Sequence, residues 1–242
     1  MPQAKSLRLI FCPNPVMVTE LTSDCLVLID GFNLFHSLRE IEKDTGHKVR
    51  WLDVRALSQL LIKRLFPNEA CPYPQNLLFT AHARHEDDGH QNRQREYYQC
   101  LKRLRISIVD DGEWASKTVD LRHHFKDAPE SLRSQVLDGY RLVEGHQEKG
   151  TDVSIAAHLM HLGPRAKWVC LISGDADLLP ALRLFEAVNP GVSVGVARPY
   201  GRENRKFKNY HCTDISPQDC LACLLPDPAP TKKRTVRKPP HW

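Results

Sequence analysis

The sequence lacks the features that mark several common functional classes. No apolar run reaches the roughly 20 residues that a membrane-spanning helix needs, so no membrane is expected among its partners. The first 18 residues are basic and then apolar, but Pro13, Asn14 and Pro15 interrupt them before a signal-peptide core forms. Neither G-x-x-x-x-G-K-[ST] nor a strand-linked G-x-G-x-x-G is present, which excludes the common nucleotide-binding loops. No Cys or Ser has the spacing of a nucleophilic triad.

The composition is that of an ordinary globular protein. The 242 residues are 41% hydrophobic and 26% charged, and the chain is long enough to bury a full core. Eight cysteines without an export signal fit a reducing compartment, so a cytoplasmic location is expected. Cys220 and Cys223, with His211 and Cys212 upstream, could supply four zinc ligands. The adjacent His-Cys pair suits zinc poorly, and a hydrophobic helical turn is the alternative.

Strand-like and helix-like segments alternate along the chain, which indicates βαβ units and a parallel sheet. Continuous apolar runs of four to eight residues predict strands buried on both faces. The predicted strands are residues 25–30, 76–83, 106–109, 168–172 and 192–197. The predicted helices are residues 34–41, 53–65, 90–104, 151–162 and 177–187.

This alternation defines one α/β domain over residues 24–215, preceded by an N-terminal extension, residues 1–23. Between about 111 and 145 the pattern weakens, and we expect a polar insertion with a helix near 129–143. Residues 216–242 form a C-terminal segment, whose basic, proline-rich tail is expected to be disordered. The excess of positive charge in this tail, part of a formal net charge of +5, suits a polyanionic partner or simply keeps the protein in solution.

Four aspartates stand where such a sheet would gather them. Asp30 ends the first predicted strand, Asp175 and Asp177 follow the strand 168–172, and Asp152 opens the helix before that strand. Parallel sheets bind ligands at the carboxyl ends of their strands, so the four side chains converge if these two strands are neighbours. At ~4 Å in water each carboxylate pair costs about 1 kcal/mol, which protonation or a hard cation relieves. Alternatively, Asp152 and Asp177 are only helix N-caps.

Oxygen ligands alone favour Mg²⁺ or Mn²⁺ over zinc. The strings LIDGFNL (28–34), KGTD (149–152) and SGDADLLP (173–180) occur in this order around those aspartates. Together they resemble the NYN-domain family, the LabA-like branch of the PIN-like nuclease superfamily, over about residues 24–215. The resemblance implies a three-layer α/β fold, with a central, mainly parallel sheet flanked by helices, and a Mg²⁺- or Mn²⁺-dependent (endo)ribonuclease.

The resemblance also assigns roles to individual residues. Asn33 looks like the polar residue that orients a ligand or water, Ser173 like a supporting hydroxyl, and Lys149 would lie near the site, where it could touch phosphate. Leu178 replaces the aromatic residue that this family usually has, and the carboxylates are unaffected. The acidic cluster that would hold the metal is Asp30, Asp152, Asp175 and Asp177.

Two basic segments are candidate RNA-binding surfaces. Arg93 and Lys102 lie on the predicted helix 90–104, with Tyr97 and Tyr98 between them. Lysine and arginine bind phosphates and aromatic rings stack on unpaired bases, although a solvated charged face with inward tyrosines fits that helix equally well. The segment after the last predicted strand is better placed, because its loop should overhang the carboxylates. Its candidate residues are Arg198, Arg202, Arg205 and Lys206.

The residues therefore predict hydrolysis of RNA, single-stranded in preference, by a metal-activated water. Two alternatives stay open: a catalytically silent RNA-binding or regulatory module on the same fold, and a toprim-like phosphotransfer domain. Toprim-like domains usually have a glutamate where this chain has Asp30. The sequence leaves the RNA target, the oligomeric state and any protein partner undetermined.

Overall fold

The computed structural model of the protein describes residues 18–69, 73–120, 142–202, 205–240 and 242. The strands are β1 (Cys25–Asp30), β2 (Gln75–Phe79), β3 (Ile106–Val109), β4 (Glu113–Asp120), β5 (Leu142–Lys149), β6 (Trp168–Ile172), β7 (Ser193–Arg198), β8 (His211–Asp214), β9 (Ala229–Pro230) and β10 (Thr235–Val236). The α-helices are α1 (Gly31–Thr45), α2 (Val54–Leu65), α3 (Asp88–Arg103), α4 (Thr151–Leu162), α5 (Leu179–Val188) and α6 (Pro217–Ala222).

Six strands form a central sheet in the order β3-β2-β1-β6-β7-β8, and every neighbouring pair is parallel. From β1 the chain runs outward to β3, returns to β6 beside β1, and then runs outward the other way to β8. The strand order therefore reverses between β1 and β6. The predicted adjacency of these two strands is confirmed, with Cys25 opposite Trp168 and Ile29 opposite Ile172.

Helices cover both faces of the sheet, which makes the predicted three-layer α/β fold. Alternate residues of β1 point to opposite faces, as strand geometry requires. Val27 and Ile29 pack with apolar residues of α1, α2 and α3, whereas Leu26 and Leu28 pack with those of α4 and α5. Every residue of β1 is buried, in agreement with its continuous apolar sequence. None of the described helices is both long and apolar enough to cross a bilayer.

The local sequence explains where several elements begin and end. The predicted helix 53–65 begins one residue later, at Val54, because Asp53 is its N-cap and accepts a hydrogen bond from the Ala56 amide. The predicted strand 76–83 is shorter: the Thr80 amide still bonds to Val109, the last residue of β3, but the Thr80 carbonyl accepts from Gly112, beyond that strand, and the ladder ends there. The predicted helix 177–187 begins with the 3-10 turn Ala176–Leu178 and becomes α-helical only at Leu179.

The polar insertion contains a two-stranded antiparallel ribbon made of β4 and β5. The ribbon pairs Glu113 with Lys149 at one end and Asp120 with Leu142 at the other. The predicted helix near 129–143 lies mostly outside the described residues. Its last two positions, 142 and 143, belong to β5, so the helix prediction is wrong there: pairing with β4 fixes them as extended backbone.

The prediction of a disordered basic tail after Pro226 is wrong for the described residues 227–240 and 242. Strands β9 and β10 pair in this segment, and Ala229, Val236 and Trp242 are buried against Trp51 and Cys100. Burial of these apolar side chains offsets the entropy cost of ordering a charged, proline-rich segment.

The Cys-x-x-Cys segment is the hydrophobic helical turn: its two thiols are buried in the main core beside α6.

Candidate active site

The predicted site residues meet at the point where the strand order reverses. Asp30 is the last residue of β1, and Ser173 directly follows β6, its neighbour. In open parallel sheets the crevice at such a reversal is where ligands bind. Gly31, next to Asp30, leaves room for the adjacent strand, because a Cβ atom there would lie 2.4 Å from the carbonyl oxygen of Phe79.

Asp30 is a buried carboxylate with two hydrogen-bond donors. Its Oδ1 accepts from the Asn33 amide at 2.9 Å, which caps α1, and its Oδ2 accepts from the Ser173 hydroxyl at 2.8 Å. Burial raises the pKa of Asp30 from 3.8 to about 6. The two hydrogen bonds oppose this rise, and the nearby charges of Asp152 and Asp175 add to it. The site therefore holds a carboxylate whose ionisation costs free energy.

The loop after β6 is tied to this carboxylate by short polar contacts. The Asn33 side-chain oxygen accepts a hydrogen bond from the Gly174 amide at 2.9 Å. The Ser173 hydroxyl oxygen accepts from the Asp175 amide at 3.0 Å, and Asp175 in turn accepts from the Asp177 amide at 2.9 Å. Asn33 and Ser173 thus position the D-x-D segment, consistent with the supporting roles expected of them.

Asp152 and Asp177 are not helix caps. Gly150, with a φ of 98°, occupies the N-cap position of α4, and Asp152 lies half-buried in the first turn. Helix α5 has no side-chain cap, and Asp177 is exposed. Burial raises the pKa of Asp152, and the charges of Asp175, Glu148 and Asp177 raise it further. The capping alternative therefore fails for both residues, while Asp30 and Asp175 do cap the turns that follow them.

The donor chemistry of the cluster fits a hard cation, because every group is a carboxylate with acceptor capacity left. Burial is the main cause of the raised pKa values of Asp30 and Asp152, and the charge of Asp175 adds to both; a cation would relieve that repulsion. The side chains do not close a ligand cage, however. Within the described ranges, no three His, Cys, Asp or Glu side chains stand close enough together to hold one metal ion.

Two further carboxylates lie beside the predicted four. The Glu148 carboxylate accepts hydrogen bonds from the Thr151 amide, at 3.0 Å, and from the Thr151 hydroxyl. Its charge adds to the raised pKa of Asp152. Asp111 lies two residues after β3 and accepts from the Ser154 hydroxyl at 2.8 Å, and its buried Oδ1 has no hydrogen-bond partner among the residues that the structure describes. The pattern that selected Asp30, an acid just after an apolar strand, also applies to Asp111, but that residue was assigned to the insertion. No comparable sequence pattern marks Glu148, because it lies on a polar strand of the ribbon and not after an apolar strand.

The predicted basic residues divide between the two edges of the sheet. The loop after β7 packs on the site: a Cβ atom at Gly174 would lie 2.5 Å from the carbonyl oxygen of Arg202. Arg198 is held by Asp214 in a bidentate pair at 2.7 and 2.9 Å. Lys102 lies in the last turn of α3, at the amino-end edge away from the carboxylates.

The remaining basic candidates have less defined positions. Arg205 and Lys206 are exposed in the short turn Arg205–Phe207, and Arg93 is half-buried in the first half of α3. Lys149 is exposed at the end of β5, and strand alternation places it on the ribbon face opposite Glu148.

The tyrosines of α3 pack inward, as the alternative for this helix predicted: Tyr97 donates to the Leu52 carbonyl at 2.8 Å, and Tyr98 is 8% exposed.

Comparisons with known proteins support the fold alone. No protein-family model matches the sequence, and no curated protein matches it. The chain is similar in structure to a protein of unknown function from Vibrio parahaemolyticus, with a TM-score of 0.51 and 14% identity over 83% of this chain and 95% of that one. The protein is thus an α/β protein whose six-stranded parallel sheet is flanked by helices on both faces.

Proposed function

We propose that the protein is a metal-dependent ribonuclease of the NYN type. The observation that carries this proposal is that Asp30 ends β1 and Asp175 follows the adjacent strand β6, at the reversal of strand order, and that the Ser173 hydroxyl joins them. The charge of Asp152 is near enough to add to the raised pKa of Asp30. Carboxylates held together against their repulsion cost stability, and such groups concentrate at functional sites. A structural role explains them poorly, since two of the four predicted aspartates cap no helix.

The residues that would hold Mg²⁺ or Mn²⁺ are Asp30, Asp152, Asp175 and Asp177. A bound divalent cation would supply a water of lowered pKa and neutralise charge on the phosphoryl group. No other nucleophile is evident among the residues of the cluster, so water is the proposed attacking group. Its attack on phosphorus with the 3′ oxygen leaving gives 5′-phosphate and 3′-hydroxyl ends.

The chain's own residues position this chemistry. Ser173 and the Asn33 amide hold the carboxylate of Asp30 in place, and the Asn33 side chain holds the backbone at Gly174. Arg202, whose backbone packs on Gly174 and whose exposed guanidinium lies 3.8 Å from Glu40, would exchange that pair for a phosphate that enters the crevice. We propose single-stranded RNA as the substrate, because a crevice at a sheet edge admits one strand, whereas the deep, narrow major groove of duplex RNA excludes side chains.

A second candidate function is an RNA-binding module without turnover on the same fold. The observation that favours it is the open arrangement of the carboxylates, in which no three described side chains share a metal position. Such a module would bind RNA through the same basic loop but leave it intact.

Incubation of the full chain with end-labelled RNA separates the two candidates. We expect cleavage with Mn²⁺, none with EDTA, and 5′-phosphate ends on the products. Asp152→Asn and Asp177→Asn should each lower the rate at least about a hundredfold, because each removes charge that would hold the cation. The matched control is Asp24→Asn, which removes an acid at the opposite edge that pairs with Lys167. Cleavage that survives EDTA and both variants overturns the nuclease; RNA binding without cleavage supports the second candidate.

A further inference from the structure

An aromatic cavity of about 430 Å³ opens beside the carboxylates. It lies between α1, α3 and the β4-β5 ribbon, and Trp242 of the C-terminal segment also lines it. This volume is in the range of pockets that take one small ligand, and it is too small for a nucleic-acid duplex. None of the predicted site residues lines it, so it is a separate feature of the molecule.

The wall of the cavity nearest the carboxylates is made of rings. Phe32 and Trp114 meet edge to face with centroids 5.3 Å apart, and Trp114 lies 4.3 Å from the ring of His85. His146 stacks on His85, with centroids 4.3 Å apart and ring planes at 22°. Flat rings at such distances offer faces and edges on which another flat, aromatic group stacks.

Two polar atoms in this wall lack the partners that buried groups normally have. Trp114 Nε1 and His85 Nδ1 are both buried and make no hydrogen bond in the part of the chain that the structure describes. The tyrosine hydroxyls of the same cavity do have partners: Tyr98 shares a hydrogen bond with Thr80, and Tyr97 donates to Leu52. An orphaned buried donor is uncommon in a native structure and calls for a partner that the chain does not supply.

The cavity is separate from the carboxylate site, but two elements connect them. Asp30 and Phe32 are two residues apart at the start of α1. Trp114 pairs directly with Glu148 across the ribbon, so both side chains lie on one ribbon face, and Glu148 repels Asp152. Glu148 thus links the ribbon face that carries Trp114 to the first turn of α4, where Asp152 lies.

We propose that this cavity binds one unpaired nucleobase of an RNA strand, stacked on Trp114 and hydrogen-bonded to Trp114 Nε1 and His85 Nδ1; the assignment rests on the proposed ribonuclease function. A base has a flat ring and both donors and acceptors on its edge, so it can accept from Trp114 Nε1 and donate to His85 Nδ1, whose ring directs Nε2 toward Glu86 at 3.5 Å. Flipped bases are recognised by stacking and edge hydrogen bonds in other enzymes. Arg39, which also lines the cavity, suits the anionic strand that carries the base; Arg50 lines it too, but its guanidinium pairs with Glu42 at 2.8 Å.

Titration calorimetry of the full chain in EDTA tests the cavity independently of cleavage. The probes are AMP, GMP, CMP and UMP, with ribose 5-phosphate as the probe without a base. We expect saturable binding of at least one nucleotide and none of ribose 5-phosphate. Absence of binding for all four nucleotides, or equal binding of ribose 5-phosphate, overturns the proposal. Mn²⁺-dependent cleavage by the same preparation, measured separately, shows which of the two proposals has failed.

Substitutions then test whether the base stacks on the rings of this cavity. Trp114→Leu should weaken nucleotide binding at least about fivefold, the lower end of what loss of one stacking ring costs. Trp168→Leu is the matched control, since Trp168 is also half-buried but starts β6 at the opposite edge. Phe32→Leu provides a second test should Trp114→Leu unfold the ribbon. Equal affinities in the wild type, Trp114→Leu and Phe32→Leu overturn the proposal, as does equal weakening by Trp168→Leu.

Discussion

The hydroxyl of Ser173 donates a 2.8 Å hydrogen bond to the Asp30 carboxylate and so joins the ends of β6 and β1, the two strands between which the sheet reverses. Ser173 is fully buried, and its oxygen also accepts from the Asp175 amide. One side chain therefore links both acidic motifs. The charge of Asp30 depends on it, because this donor lowers a pKa that burial raises.

Ser173→Ala should reduce both stability and activity. A buried carboxylate that loses a donor costs about 1–3 kcal/mol, so we expect a lower urea midpoint at pH 8 and a higher pKa of Asp30. Cleavage should fall because the D-x-D backbone loses its tether. The matched control is Ser37→Ala, since Ser37 is also buried but its hydroxyl makes no hydrogen bond within the described chain. A loss of stability in Ser37→Ala as large as in Ser173→Ala would contradict the assignment.

Asp30→Asn should stabilise the metal-free protein at high pH. The folded-state pKa of Asp30, about 6, lies above the unfolded value of 3.8, so the folded state binds this proton more tightly. That contribution to stability is complete below about pH 4 and is lost as the pH rises through about 6. The amide carries no charge, and we expect a gain on the order of 1–3 kcal/mol at pH 8 and little change at pH 4.

Denaturant unfolding in EDTA at both pH values measures this difference. Asn caps a helix about as well as Asp, so the α1 cap should survive the substitution. Asp24→Asn is the control, and we expect it to stay within about 0.5 kcal/mol at both pH values because Asp24 is exposed. If Asp30→Asn is destabilised equally at pH 4 and pH 8, geometry and not charge dominates at this position.

The sequence predicts the sheet and the site better than it predicts the chain around them. The runs 25–30 and 168–172 are buried on both faces, and their continuous apolar sequence is the direct consequence. The ribbon has no such signal because residues 113–118 of its first strand, the part whose burial the structure describes, are exposed except for the half-buried Trp114 and so show no alternation. The tail is ordered because Ala229, Val236 and Trp242 are buried. Their irregular spacing among prolines and charged residues gives no sequence pattern, so only the tertiary contacts show that they are core residues.

Metal binding should stabilise the folded protein measurably. Mn²⁺ or Mg²⁺ at ~100 times its dissociation constant adds about 2.7 kcal/mol if it binds only the folded state. We therefore expect a higher melting temperature with millimolar Mn²⁺ than with EDTA, and a smaller shift for Asp152→Asn and Asp175→Asn. Asp24→Asn should keep the full shift. Melting curves that coincide with and without Mn²⁺ in the wild-type protein would count against the metal site.

The loop after β7 should carry a large share of the RNA affinity. Arg202 packs against the site through its backbone, and Arg205 is exposed three residues further along the chain. Each phosphate contact on a single strand contributes about 0.7 to the slope of log K against log salt concentration. The double variant Arg202→Ala with Arg205→Ala should therefore bind RNA more weakly and flatten that slope by roughly 1.4 if both contacts are lost.

The structure supplies a matched control at the other edge of the sheet. Lys102 and Arg103 are adjacent, exposed and equally charged, but they end α3 at the amino-end edge, away from the carboxylates. Lys102→Ala with Arg103→Ala should leave the slope unchanged, because a strand that crosses the crevice does not reach that edge. Fluorescence anisotropy with labelled single-stranded RNA in EDTA, from 50 to 300 mM salt, measures both slopes without cleavage. A flattened slope in the control pair alone would place the RNA along α3 and remove the basic loop from the proposed site.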